Sequence, residues 1–152
     1  MRWFAMLLAY ASCSACAAEP DCGGSFRIEP GAPAEVTRAA ERAGERWNRW
    51  LGESAAVRIA PDGRCPIVAG PIEDSANTAE YNWTTGEIRV DFSKRHCGSA
   101  ACLEHLLAHE LGHSLGLEDI AGRGMMAGHS ERATEGFTDA DLIECRRVGR
   151  CQ

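Results

Sequence analysis

The sequence predicts an α+β domain in which a few short strands pack against three helices. Three observations carry this. Residues 34–51 repeat apolar side chains at helical spacing. Residues 57–92 hold short alternating or β-branched runs broken by turn signals. Residues 100–115 and 138–148 read as two more helices, each with its own start signal. With 152 residues, 45% of them hydrophobic, the chain has enough material for one domain with a moderate core.

The chain opens on Arg2, an apolar stretch from Trp3 to Ala11, and the small residues Ser12, Ser14, Ala15, Ala17 and Ala18. That order reads as an export signal over residues 1–18, cut after Ala17 or Ala18, with a mature domain over 19–152. Lipidation at Cys13 or Cys16 ranks second, because neither has a leucine three residues before it. Glu19 to Pro33 is rich in glycine and proline and reads as an extended entry segment. Ala34 to Leu51 is an amphipathic helix: Val36, Ala40, Ala43, Trp47, Trp50 and Leu51 fall on one side, and Gly52 stops it. Its tryptophans are taken as core residues packing the helix on a sheet. Val57-Arg58-Ile59 and Pro66 to Ala69 are strand candidates. Tyr81–Thr84 and Glu87–Phe92 flank Thr85-Gly86 as a hairpin, with Ile88, Val90 and Phe92 on one face.

Ser99 caps a helix from about Ala100 to Leu115, with Leu103, Leu106, Leu107, Leu111 and Leu115 as its apolar side. That helix carries His109-Glu110-Leu111-Gly112-His113. Histidines four apart lie one above the other on a helix, where a single zinc ion can take both, and Glu110 stands beside the ion's open position. Such a site makes water nucleophilic at neutral pH, with a carboxylate as proton acceptor. Gly116 can take the left-handed conformation that ends a helix, so the chain reverses and brings Asp119 round as a third ligand. Glu118 competes for that role as the adjacent acid. Of the other histidines, His105 shares the helix face and reads as a packing residue, while His96 and His129 read as loop or surface residues. Thr138 with Asp141 forms a capping box for the last helix, which runs to about Val148.

His109, Glu110, His113, Gly116 and Asp119 together resemble the long zinc signature of the metzincin metalloproteases, His-Glu-x-x-His-x-x-Gly-x-x-His/Asp. Aspartate in the last place resembles the snapalysin-type bacterial variant, and the surroundings look most like small bacterial matrixin-like enzymes. The resemblance covers the second half well and the first half only in outline. It implies a zincin domain: a small twisted mixed sheet, a backing helix, an active-site helix and a C-terminal helix. It implies Zn²⁺ on His109, His113 and Asp119, Glu110 as general base, and Met126 in Gly124-Met125-Met126-Ala127-Gly128 as the Met-turn beneath the metal. It favours Asp119 over Glu118 by spacing. It suggests that a strand near Tyr81 to Phe92 offers its edge to an extended polypeptide substrate. A carboxylate ligand is compatible with catalysis, since two histidines and one carboxylate occur in working zinc peptidases.

Composition fits an exported enzyme. Removing Cys13 and Cys16 with the signal leaves six cysteines, an even set that suggests disulfides in an oxidising compartment. The local pairings are Cys97 with Cys102 and Cys145 with Cys151, leaving Cys22 with Cys65, although six cysteines allow about fifteen arrangements. A Cys22 thiolate on the metal, loosely like the matrixin cysteine switch, is the lesser alternative. The net charge of -6 gives a nucleic-acid role no support. After residue 18 no apolar run nears the ~20 residues of a membrane span. The expectation is therefore a secreted or periplasmic zinc endopeptidase, monomeric, with a polypeptide as partner. The rival is a non-catalytic secreted module, either zinc-containing or disulfide-stapled.

Overall fold

A short first strand, β1 (Ser25–Ile28), leads into the long helix α1 (Ala34–Leu51). Then come β2 (Arg58–Ile59), β3 (Cys65–Ala69), β4 (Ala79–Tyr81) and β5 (Ile88–Val90), followed by α2 (Ala100–Ser114) and α3 (Asp139–Arg147). This computed structural model describes residues 20–52, 57–73, 77–94, 99–128 and 136–151. The export signal read at 1–18, and His96, Cys97 and His129, lie outside the described residues.

The described residues form an α+β domain with one five-stranded mixed sheet, ordered β2-β1-β3-β5-β4. β2, β1, β3 and β5 run parallel, and β4 pairs antiparallel with β5 at one edge, with Ala79 opposite Val90 and Tyr81 opposite Ile88. Phe26, Ile67, Ile88 and Val90 are fully buried, so the central strands supply one wall of the core.

The first helix has the bounds its apolar spacing predicts, and Val36, Ala40, Ala43 and Trp47 are all fully buried. Trp47 is a core residue, as expected, but its main partner is α2 rather than the sheet alone. Its indole N–H donates to the Ala108 carbonyl at 2.6 Å, so burying the ring leaves no unpaired donor. Phe137, just before α3, meets Trp47 edge-on at 4.7 Å and stacks on Trp50 at 4.2 Å. Aromatic pairs of this kind add about 0.5–1.5 kcal/mol each beyond their buried area. They tie the first helix to the last.

Three readings of the sequence are corrected. The Glu19–Pro33 entry segment contains β1, an internal strand of the sheet rather than mere extended chain. The Tyr81–Thr84 strand lies earlier, at Ala79–Tyr81. Asn82 turns the chain there, because its side-chain oxygen accepts from the backbone N–H of Thr84 and Thr85 at 2.9 and 3.0 Å. Phe92 does not continue the buried face of Ile88 and Val90. It lies past the strand end and is 50% exposed.

Two disulfides join Cys22 to Cys65 and Cys145 to Cys151. Cys102 is also disulfide-bonded. The Cys22–Cys65 bridge spans 43 residues and anchors the start of β1 to β3. By loop-closure entropy, a bridge of that span is worth about 4 kcal/mol. It also removes Cys22 as a free thiolate. The bridges fit an oxidising compartment, and among the described residues no helix is long and apolar enough to cross a membrane.

Candidate metal centre

The second helix starts where expected: the Ser99 side chain accepts from the Cys102 N–H at 3.2 Å. It ends in a Schellman arrangement, with the Leu117 N–H donating to the Gly112 carbonyl and the Gly116 N–H to the His113 carbonyl. Gly116 takes φ of +87°, the left-handed conformation that this exit needs. The reversal brings Asp119 back over the helix it has just left.

His109, His113 and Asp119 each offer one ligand atom, and these atoms lie within 4.8 Å of one another. Asp119 Oδ1 is 3.2 Å from His109 Nε2 and 3.7 Å from His113 Nε2. The two imidazoles are largely covered, whereas the Asp119 side chain is 61% exposed. Both rings are aimed from behind. His109 Nδ1 is 3.0 Å from the Met125 carbonyl, and His113 Nδ1 is 2.8 Å from the Leu117 carbonyl. A carbonyl only accepts, so each Nδ1 carries the proton and each Nε2 lone pair faces the cluster. Glu118, the competing acid, points elsewhere: its carboxylate lies 3.4 Å from Arg147, and its N–H donates to Glu144.

Met125 and Met126 are both fully buried, and the Met125 carbonyl is the one that meets His109. Met126 packs against the helix at Gly112, where a Cβ would collide with its sulfur and with the Trp47 ring. Glycine is thus required within the motif by close packing rather than by backbone conformation. The turn is held by Asp141, which is itself fully buried. The Asp141 carboxylate accepts from the backbone N–H of Met125 (3.1 Å) and Met126 (2.8 Å), and from the N–H and hydroxyl of Thr138 (2.7 and 2.8 Å). The sequence offered Asp141 only as a capping residue of the last helix. It is also the group that fixes the turn whose Met125 carbonyl orients His109.

These side chains open on a cavity of about 650 Å³, lined by Asn77 to Tyr81 of the edge-strand region, by Trp83, and by His105, His109, Glu110, His113 and Asp119. His105 is buried in its wall, one turn before His109. Glu110 is only 6% exposed. Burial first, then the negative charges of Asp119 and Glu80, push its carboxyl up to about 8, and the backbone N–H of Tyr81 partly offsets this. Burial, then the neighbouring His113, holds His109 below its ordinary value.

The Glu110 shift has a measurable consequence in the metal-free protein. The folded state holds this proton more tightly than the unfolded chain does. The stabilisation is complete below the unfolded value near 4.5 and is lost as pH rises towards 8. Each pH unit in that window removes up to about 1.4 kcal/mol. Glu110→Gln removes the titration. With chelator present, its melting temperature should gain on wild type steadily from pH 5 to pH 8 and then level off. A gap that does not change with pH would contradict a buried, proton-binding Glu110.

No protein-family model matches the chain, and no curated protein matches it.

Proposed function

We propose that the protein is a zinc-dependent endopeptidase of metzincin type, in which His109, His113 and Asp119 hold the ion and Glu110 is the general base. The observation that carries this reading is the convergence of the Nε2 atoms of two imidazoles, each anchored to the backbone through Nδ1, and one carboxylate oxygen in the lining of a cavity that also contains Glu110. The donor set suits zinc. Ligand distances of 2.0–2.2 Å put tetrahedral donors about 3.4 Å apart, and the two separations from Asp119 are 3.2 and 3.7 Å. The sheet supports the reading as well, since its antiparallel edge strand borders the cavity.

Bound there, zinc supplies Lewis acidity towards a peptide carbonyl and towards water. The protein's own groups do the rest. The Nδ1–H bonds to Met125 and Leu117 fix the imidazoles before any ligand arrives. The edge of β4 that is not paired with β5 borders the cavity, and its remaining backbone groups can align an extended chain across the site. Glu110, largely shielded from solvent, would be held in its ionised form by a dication beside it, and as a carboxylate would take the proton of the attacking water and give it to the departing amine nitrogen. Both steps happen beside one carboxylate, so a second acid is not needed.

The test is direct. The oxidised mature protein should bind close to one equivalent of zinc and cleave casein. A chelator should abolish cleavage, and added zinc should restore it. Cleavage indifferent to chelation, or a purified protein that takes up no zinc, would remove the proposal.

A further inference from the structure

We propose that Trp83 determines specificity at this site, its indole accepting a large apolar side chain from the substrate on the amino-terminal side of the bond to be cut. The proposal rests on the peptidase reading and deepens it by naming a subsite and its chemistry.

Among the described residues three large hydrophobic side chains stand substantially in solvent: Trp83, Phe92 and Ile143. Of these, Trp83 lines the cavity that holds His109, Glu110 and His113. It is 40% exposed, yet it is held on two flanks. Its ring meets Tyr81 edge-on at 5.1 Å and lies tilted against His113 at 5.5 Å. The turn that carries it is fastened by the two N–H bonds to the Asn82 side chain, by Gly86 N–H to the Asn82 carbonyl, and by Asn82 N–H to the Glu87 carbonyl. A rigid aromatic surface loses little freedom on contact and gains apolar burial. A position beside a metal ligand that leaves this surface open is suited to substrate contact.

Strand direction gives the side. β4 pairs with β5 along one edge, and the other borders the cavity. Antiparallel pairing is the more stable mode per residue, so an extended substrate runs opposite to Ala79–Tyr81. Its residues before the scissile bond then lie near the Tyr81–Trp83 end, and those after it near Asn77 and Thr78.

The experiment uses the zinc-loaded mature protein and internally quenched peptides varied at one position at a time, with cut sites read by mass spectrometry. Wild type should favour a large apolar residue over glycine or aspartate at one of the three positions before the cut. The preference should be about tenfold or more in kcat/KM and expressed mainly in KM. Trp83→Ala and Trp83→Gln should flatten that preference to within about twofold, with zinc content unchanged, and Trp83→Phe should keep part of it. In a Glu110→Gln background, anisotropy of labelled peptides should show the same loss in binding alone. A preference that survives Trp83→Ala and Trp83→Gln would overturn the assignment while leaving the peptidase reading intact, and so would one that moves to positions after the cut or selects a charged side chain. No cleavage of any peptide by zinc-loaded wild type would overturn both.

Discussion

Glu110→Ala is expected to keep its zinc and lose about 10²–10⁴-fold in peptide hydrolysis, the range a positioned general base contributes. The separation follows from where the groups sit. The three candidate ligands do not include Glu110, so its removal leaves the cluster and its backbone anchors in place. What is lost is the proton acceptor in the cavity wall. Metal analysis and a quenched-peptide assay on the same sample check this. A secreted module that uses the ion only for structure would be indifferent to the change, and a disulfide-stapled binding domain would need no zinc at all. Normal cleavage by Glu110→Ala would dismiss the mechanism. Loss of zinc would place the carboxylate among the ligands instead.

Asp141→Ala is expected to destabilise the fold by about 3–5 kcal/mol, lowering the melting temperature by roughly 10–20 °C. Its carboxylate is fully buried and accepts four hydrogen bonds. Without it the N–H groups of Met125 and Met126 lose their acceptor in a buried site. The second effect is on the metal. The Met125 carbonyl orients the His109 ring, so a loosened turn should weaken zinc binding about 10–100-fold, the usual cost of losing an outer hydrogen bond to a ligand. Asp141→Asn keeps the volume but turns an N–H₂ group towards backbone donors, and should fall between. Thermal melts of the metal-free protein and competition titration with a zinc indicator separate the two effects. Unchanged values of both would show that the last helix does not hold the turn.

Much of this arrangement was legible because it is local. The first helix announces its apolar stripe within eighteen residues and the second its serine cap, and the span from His109 to Asp119 needs only helix geometry and one glycine. What escaped was non-local. The first strand, Ser25–Ile28, has four residues, too few for alternation to speak, and its partners lie more than thirty residues away in β2 and β3. The edge strand starts two residues and ends three residues before its expected place, because Tyr81 and Trp83 favour strands by type while the Asn82 side chain captures the backbone first. Asp141 shows how one residue can satisfy a local signature and carry a distant duty. Its spacing from Thr138 suggests a cap, and nothing in that spacing reveals the methionines fifteen and sixteen residues earlier. Trp83 gives no sign in the sequence, since only the hairpin's return beside α2 sets it against His113.

The prospective ligands all fall between residues 109 and 119, whereas the strand that shelters Glu110 ends at Tyr81. Gathering the donors closes a shorter loop than bringing the sheet edge across to them, a difference of about 1 kcal/mol in chain entropy, and the sheet edge also needs its own long-range pairings. Under the peptidase proposal, cation capture would therefore need less of the fold in place than hydrolysis does. On that proposal a partly folded chain would hold its cation before the cavity wall is complete, and would cut nothing until the sheet edge has closed over Glu110.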